Sequence, residues 1–238
     1  MTDLREMVAT ASRILARHGH ADLIWGHASQ RDPEGRGVWL KAASWGLEEV
    51  GPDRVHLVSW DGEVLEGEGT RHSEYSIHTE IMAARPDVNG VVHVHSPHSV
   101  ALAAAGQPLL PVSHAANYFS PHGVPRYTQT ADLILTRELG KSVAQTLAAG
   151  RAVFLVNHGI VTVGADVREA TVAAVLLEMA SQQQLLTAGF GGWPSWSDAE
   201  ESMSKRQNIY GNGAVLAVWD YLSRTLAGAG APSRAHES

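Results

Sequence analysis

Two histidines separated by one residue are the first feature of this sequence that could do chemistry. His93 and His95 lie in the stretch VVHVHSPHS, where they alternate with valines. In a β-strand, residues i and i+2 project from the same face, so both imidazoles point one way while the valines point into a core. Two imidazoles on one face can hold a metal ion. The pattern alone is weak evidence, because many proteins without a metal also contain it.

Two further residues could complete a metal site. Glu74 stands near the start of a predicted helix, where the helix dipole favours a carboxylate. His158 interrupts a run of apolar residues, between Asn157 and Gly159, where a buried imidazole without a partner would be costly. Three imidazoles and one carboxylate suit a divalent ion such as Zn²⁺, Mn²⁺, Fe²⁺ or Co²⁺. The alternative is that these are structural histidines and a carboxylate at a helix start.

Composition narrows the classes of function. The 238 residues contain 18 Lys and Arg against 25 Asp and Glu, a net charge of −7, which does not favour binding to nucleic acid. The chain has no cysteine, which excludes disulfides, thiolate metal ligands and cysteine nucleophiles. No apolar run reaches the roughly 18 residues of a membrane span. We therefore expect a cytoplasmic protein with a small-molecule substrate and no nucleic-acid or membrane partner.

Helices and strands are interspersed along the chain, and no linker divides it, so we predict a single domain over 1–238. The spacing of apolar residues, with Ser73 as one cap, predicts helices at 3–18, 73–85, 99–106, 130–150, 166–188 and 214–226. Strands are predicted within 21–69, 88–96 and 151–164. Most links between strands are too short for parallel crossovers, which favours an α/β fold with a mainly antiparallel sheet covered by helices. The segment 189–238 should be a loop and a helix with a frayed end.

Four segments together resemble the class II aldolase and adducin head family, which includes fuculose-phosphate aldolase and ribulose-phosphate 4-epimerase. They are GHAS (26–29), HSEYSIHTEIMAARPDVNGVVHVHSPHS (72–99), SHAANYF (113–119) and VNHGIVTVG (156–164), in the family's order and at its spacing. The resemblance covers about residues 5 to 188.

This resemblance implies a three-layer αβα fold with a mainly antiparallel central sheet. It also implies that His93, His95 and His158 ligate a divalent metal, and that Glu74 either ligates it or moves a proton. Family members are usually tetramers with active sites at subunit interfaces, so we expect a homo-oligomer. The segment 189–238 would lie at such an interface. Its Tyr210 or Tyr221 falls where family members supply a tyrosine proton donor, and the sequence does not choose between them.

The surroundings of the predicted metal site depart from the sugar-phosphate members of the family. Those members typically have Gly-Asn-x-Ser, a Thr-Gly turn and a Ser-Ser pair, which are small donors that surround a phosphate. This chain has His27 in the first segment, Trp45 in the second and His72 in the third. Asn117 replaces an epimerase aspartate, which disfavours epimerisation. The more aromatic surroundings are similar to those in the family's aromatic decarboxylases, such as those acting on dihydroxyphthalate.

We therefore expect a metal-dependent carbon–carbon lyase that decarboxylates a hydroxylated aromatic carboxylate, with Glu74 or His114 supplying the proton. Trp25, Trp45 and Tyr118 could flank a flat ring. The expected substrate contacts are Ser29, Lys41, Ser44, Arg71, His72, Ser73 and Tyr118. Surface or interface salt bridges are an equal alternative for Lys41, Arg71, His72 and His114.

Three other functions stay open at this point: an aldolase that cleaves a sugar phosphate, a metal-dependent oxygenase, and a non-catalytic scaffold like adducin's own head. His78 follows Glu74 by one helical turn, and His98 lies at a helix start; both are predicted to be structural. Trp193 and Trp196 lie in a loop rich in Gly and Pro, where they would serve packing, subunit contact or a lid over the substrate.

Overall fold

The computed structural model describes residues 3–192, 195–211 and 213–228, and one sheet runs through the centre of this part of the chain. Its strands follow the order β4-β3-β2-β1-β5-β8-β7-β6. The strands are β1 (His27–Arg31), β2 (Gly37–Lys41), β3 (Val55–Ser59), β4 (Val64–Glu66), β5 (Gly90–Val94), β6 (Arg126–Tyr127), β7 (Ala152–Leu155) and β8 (Gly159–Gly164). Neighbouring strands are antiparallel except β6 and β7, which confirms the predicted mainly antiparallel sheet.

Helices cover both faces of the sheet. The described α-helices are α1 (Leu4–Leu15), α2 (Tyr75–Ala84), α3 (Pro97–Ala104), α4 (His114–Asn117), α5 (Arg137–Leu147), α6 (Val167–Ala188), α7 (Ala199–Tyr210) and α8 (Ala214–Gly228). Short helical turns lie at Ala16–His20, Leu47–Glu49 and Pro52–Arg54. Helices α2 and α5 pack on one face, whereas α1, α3, α6 and α8 lie on the other. The three-layer αβα arrangement is therefore confirmed.

Strand β5 shows how side-chain alternation separates the two layers. Val92 and Val94 are fully buried in the hydrophobic cluster that includes α1 and α6. Val91 belongs to the cluster on the α2 side, and His93 has the same parity along the strand. His93 pairs directly with His27 of β1 and with Val161 of β8. The face under α2 therefore carries the imidazoles.

Helix α2 is held over this face by α5. The hydroxyl of Ser76 donates to the carbonyl of Ile134 at 2.6 Å. A Cβ added to Gly140 of α5 would lie only 2.5 Å from the backbone oxygen of Ser76, so this close approach requires glycine. The start of α2, with Glu74, is thereby fixed against the sheet.

Several element boundaries differ from the prediction. Helix α2 begins at Tyr75 with Glu74 as its N-cap residue, so the predicted capping by Ser73 is wrong. Helix α5 begins at Arg137 rather than near 130, because the Thr136 side chain caps it there. Helix α7 and the two-residue strand β6 are additions that the apolar pattern did not predict.

Other predicted elements are confirmed. Strands β1 to β4 lie within the segment 21–69 where strands are predicted, and Asp61 and Gly62 lie in the turn between β3 and β4. The longest helix, α6, begins after Asp166, whose carboxylate accepts hydrogen bonds from the backbone of Arg168 and Glu169. None of the described helices combines the length and the apolar character that a membrane span needs. Trp193 lies outside the described residues, as do 229–238, which make up most of the dozen C-terminal residues predicted to be frayed.

Candidate metal centre

The structure brings the three predicted histidines together at the end of β5. His93 lies in β5, His95 follows the strand, and His158 lies in the turn between β7 and β8. One ring nitrogen of each lies within 4.8 Å of the other two, and the ring centroids are 4.9 to 5.4 Å apart. Because β8 pairs with β5 in antiparallel register, the turn before β8 is placed beside the end of β5.

The residues on either side of His158 explain how its ring comes so close. Asn157 has a φ of 60°, in the left-handed region that a tight turn uses. A Cβ added to Gly159 would lie 2.7 Å from the carbonyl oxygen of Val94 and 3.0 Å from Cε1 of His93. Only glycine fits this contact between backbone and imidazole. The turn formed by Asn157, His158 and Gly159 therefore places the imidazole of His158 beside the end of β5.

Hydrogen bonds at the outer nitrogens orient two of the rings. Nδ1 of His93 donates to the carbonyl of Ile160 at 3.0 Å, and Nδ1 of His95 donates to the carboxylate of Asp22 at 2.9 Å. Both partners only accept, so each Nε2 is left with a lone pair. Neither Nε2 has a hydrogen-bond partner among the described residues. This is the arrangement that fixes a histidine tautomer for metal binding.

Glu74 closes the group from the α2 side. Its carboxylate is buried, with Oε1 lying 3.6 Å from Nε2 of His158 and Oε2 lying 3.7 Å from Nε2 of His93. Its Oε1 also accepts a hydrogen bond from the backbone N–H of Ile134 at 2.8 Å. Ligands at about 2.0–2.1 Å around a tetrahedral ion stand roughly 3.3–3.4 Å apart. The spacing of these donors is therefore close to what one small cation needs.

Burial keeps two imidazoles of the group, those of His93 and His158, neutral. It lowers the pKa of His158 to about 4 and holds that of His93 well below the usual value. Burial raises the pKa of Glu74. Buried nitrogen lone pairs without partners are costly, and a bound cation would satisfy them together with the carboxylate. The donor set therefore fits a divalent metal ion.

A second group of rings lies beside the first. The ring centroid of His27 is 3.8 Å from that of His72 and 5.0 Å from that of His93, and Nε2 of His27 is 4.0 Å from Oε2 of Glu74. His72, a predicted substrate contact, is thus a neighbour of the centre. The role of His27 in the site was missed, although it lies opposite His93 on the adjacent strand. His78 supports it through a hydrogen bond.

Of four other predicted substrate contacts, Lys41 and Ser29 are buried, whereas Ser44 and Ser73 are exposed. Lys41 is buried, its Nζ donates to the carbonyls of Ile24 and Ala42, and its positive charge acts on His72. Ser29 lies behind the site, hydrogen-bonded to His78. The structure leaves Ser44 and Ser73 exposed, and neither side chain has a described hydrogen bond to the histidines.

Two predicted site residues, Arg71 and His114, have their contacts elsewhere. The guanidinium of Arg71 donates to the carbonyls of Gly62 and His72 and lies 4.1 Å from the ring centroid of Tyr75. The exposed His114 borders a surface cavity of about 410 Å³ beside α7, together with Trp196. Neither position supports the proton transfer or substrate contact that we predicted.

Tyr118 is the clearest correction. Its ring is buried, and its hydroxyl donates to Glu169 at 3.1 Å and accepts from Arg151 at 2.9 Å. Glu169 binds the backbone N–H of Ala165, at the opposite end of β8 from His158. Six strand residues span roughly 20 Å, so within one chain the phenol cannot flank a substrate at the histidines.

The aromatic residues that we expected around a ring substrate do not all lie in one place. Trp25 is 46% exposed, and its backbone pairs with that of Asp22, the residue that orients His95. Trp45 instead packs under the guanidinium of Arg54 at 3.8 Å. In the C-terminal region, Tyr210 lies against Tyr118, and the Tyr221 side chain is 57% exposed on α8.

Comparison with known proteins agrees with this geometry. Residues 6–185 match the class II aldolase and adducin N-terminal domain, and the chain belongs to this family. The 3,4-dihydroxyphthalate decarboxylase of Arthrobacter keyseri is 30% identical over 236 residues, 90% of each chain. A solved aldolase II superfamily protein from Pseudomonas syringae has a TM-score of 0.84 and 26% identity, covering 95% of this chain and 93% of that one.

A third relative carries a different activity in its name. The 4-hydroxy-3-prenylphenylpyruvate oxygenase/4-hydroxy-3-prenylbenzoate synthase of Streptomyces roseochromogenus subsp. oscitans is 32% identical over 191 residues, covering 77% of this chain and 68% of the relative. Taken together, the family and its decarboxylase member identify the chain as an enzyme of the lyase class, as the sequence predicted.

Changing Asp22 to Asn should weaken metal binding without removing a ligand. The neutral amide is a weaker acceptor for Nδ1–H of His95 than the carboxylate, and mutation of such a partner typically costs 10-fold to 100-fold in affinity. Zinc affinity measured by competition with a chromogenic chelator checks this, with the exposed Asp53 changed to Asn as control. Equal affinities for both variants and the wild type would contradict it.

The metal-free protein should lose stability as the pH falls from about 6.5. Burial lowers the pKa of His20 and His158 to about 4 and that of His72 and His78 to about 3, from an ordinary value of 6.5. The unfolded chain then binds protons that the folded chain does not. The contribution of each histidine to the free energy of unfolding is therefore fully present above pH 6.5. Below pH 6.5 it falls by up to about 1.4 kcal/mol per pH unit for each histidine.

Urea unfolding of the metal-free protein at pH values from 8 to 5 measures this dependence. The His78→Gln variant should show a shallower slope, whereas a change at the exposed His122 to Gln should leave the slope unaltered. A free energy of unfolding that stays constant or rises between pH 7 and pH 5 would show that these imidazoles are not buried in the neutral form.

Proposed function

We propose that His93, His95 and His158 hold one divalent metal ion, with Glu74 beside them as the residue that moves a proton. The observation that carries this proposal is the set of Nε2 atoms that face one another and the carboxylate without partners among the described residues. Zinc, manganese, iron and cobalt all fit ligands of this type. When bound, such an ion supplies a Lewis acid that stabilises negative charge on a substrate oxygen.

The reaction that we propose is decarboxylation of a hydroxylated aromatic carboxylate similar to dihydroxyphthalate. The relative of that activity covers 90% of this chain. Near the centre, the imidazoles of His27 and His72 provide flat surfaces rather than a ring of small donors. The buried ammonium of Lys41 adds a positive charge behind His72, which suits an anionic substrate.

Glu74 is the residue that we propose for proton transfer to the carbon that loses the carboxylate. Its burial favours the protonated form, because the surroundings disfavour the charged carboxylate. Its two oxygens lie between the ring of His27 and that of His158. His114, the other predicted donor, borders a surface cavity whose lining includes neither Glu74 nor the three histidines, so Glu74 carries the proposal alone.

Two other reactions have a specific observation in their favour. The fold is shared with a solved aldolase II superfamily protein, so cleavage of a hydroxy-carbonyl compound such as a sugar phosphate is the second candidate. A metal-dependent oxygenase is the third, because one relative is named as an oxygenase and three imidazoles with a carboxylate also hold Fe²⁺. Each consumes or releases a different small molecule, so one assay separates them.

The oligomeric state and the cellular location of the protein are also proposed. We propose a homo-oligomer, with a tetramer favoured, of single-domain chains in the cytoplasm. We also propose that the segment 189–238, of which 229–238 lie outside the described residues, belongs to a subunit interface. Leu23, Ile24 and Trp25 form an exposed apolar patch directly after Asp22, a feature that is typical of a contact surface. A second copy that covers this patch would also cover one side of the metal centre.

Incubation of the metal-loaded protein with 3,4-dihydroxyphthalate, with fuculose 1-phosphate and with oxygen tests the reaction. We expect CO₂ from the first compound, with no aldehyde from the second and no uptake of oxygen. His93→Ala should fall to the rate of the metal-free protein, because it removes a ligand, whereas His122→Ala should match the wild type. Aldehyde release without CO₂ would reject decarboxylation in favour of the aldolase.

A further inference from the structure

A buried chain of three polar side chains ends at the metal centre. Oγ of Ser29 lies 2.6 Å from Nδ1 of His78, and Nε2 of His78 lies 2.6 Å from Nδ1 of His27. All three residues are 0% exposed. Ser29 and His27 share one face of β1, and His78 lies on α2 one turn after Glu74. The free end of the chain is Nε2 of His27, which faces Oε2 of Glu74 across 4.0 Å.

The hydrogen bonds along this chain can run in two directions, because each neutral imidazole carries one proton. If Ser29 donates to Nδ1 of His78, then His78 donates through Nε2 to His27, and His27 must carry its own proton on Nε2. If the order is reversed, His27 presents a lone pair at Nε2 and Ser29 becomes the last acceptor.

The surroundings favour the first direction. The hydroxyl of Ser29 has no described hydrogen-bond partner except His78, so the reverse order would leave its proton buried and unpaired. The reverse order would also aim a lone pair of His27 at the carboxylate oxygen of Glu74. The first direction pairs the hydroxyl proton and turns an N–H toward Oε2 of Glu74.

The charged groups near His27 indicate whether this N–H faces a cation or an anion. His27, His72 and Glu74 also have donor atoms within 4.8 Å of one another, which is a spacing that a metal ion could use. The ammonium of Lys41, however, interacts with both His27 and His72 and hydrogen-bonds only to carbonyls in the described structure. A further cation would be repelled by this ammonium, and an anion would be attracted.

We propose that the Nε2–H of His27 is a fixed hydrogen-bond donor to a carboxylate oxygen of the substrate, and that Ser29 and His78 are positioning residues that keep it a donor. The substrate class rests on the proposed function. The hydrogen-bonded series Ser29–His78–His27 ends at Ser29, which is fully buried, so it does not lead to solvent. Its role is therefore to fix which nitrogen of His27 carries the proton, not to conduct protons.

Nuclear magnetic resonance of the full-length protein labelled with ¹⁵N-histidine tests the direction without an assay of activity. We expect His27 and His78 both to carry the proton on Nε2, in the metal-free and the zinc-loaded protein. Signals are assigned by their loss in His27→Gln and His78→Gln. Protons on Nδ1 of both rings would overturn the proposal and would favour a second metal site at His27 and His72.

The ligand is tested with phthalate, a dicarboxylate that lacks the hydroxyl groups. Its addition to the zinc-loaded protein should shift the Nε2–H signal of His27 downfield, because a carboxylate oxygen then accepts that proton. An unchanged signal at saturating phthalate would remove the substrate contact from the proposal. This measurement stands even when the protein releases no CO₂, so its failure and that of the proposed function are separate results.

Kinetics test the positioning role. Ser29→Ala should raise the KM for dihydroxyphthalate about tenfold, the loss expected for one hydrogen bond to a charged group, and leave kcat within about twofold. Ser29→Thr keeps the hydroxyl and should restore the wild-type KM. A threonine variant as impaired as the alanine variant, with an unchanged tautomer of His78, would show that Ser29 is needed only for packing.

Discussion

Antiparallel pairing of β5 with β1 on one side and β8 on the other is the interaction on which the centre depends. It sets His27 opposite His93 and brings the turn with His158 beside the end of β5. The imidazoles that could hold a metal and the imidazole that could face a substrate are therefore positioned by backbone hydrogen bonds in the middle of the sheet. A slip of one residue in either register would turn His93 into the opposite hydrophobic layer.

Burial gives this arrangement its chemical character. The nitrogen donors of His93 and His158 are held where charged imidazoles are disfavoured, and Glu74 is held where its protonated form is favoured. The cost of keeping such groups apart from water is offset only when they find partners. Asp22, the carbonyl of Ile160 and the N–H of Ile134 satisfy the outer atoms, which leaves the inner ones for a ligand.

Much of the fold and the core of the centre could be predicted from the sequence, because the signals are local. Alternation with valine places His93 and His95 on one face, and the break at His158 marks a turn between two strands. Contacts that depend on register could not be read in this way. Asp22 reaches His95 from 73 residues away, and His27 meets His93 only through strand pairing.

The corrections have the same physical origin. Tyr118 belongs to a segment that resembles the family, but the sequence does not show that its hydroxyl is committed to Glu169 and Arg151 at the other end of β8. Arg71 likewise uses its guanidinium on neighbouring carbonyls. A residue type suggests what a side chain can bind, whereas only the packing around it shows whether the binding group is free.

The most direct test of the account is a crystal structure of the zinc-loaded protein with anomalous diffraction measured on both sides of the zinc edge. The account predicts one zinc peak per chain, enclosed by the Nε2 atoms of His93, His95 and His158 with the carboxylate of Glu74 beside them. A protein saturated with zinc that shows no peak among these three imidazoles, or a peak only at His27 and His72, would contradict it.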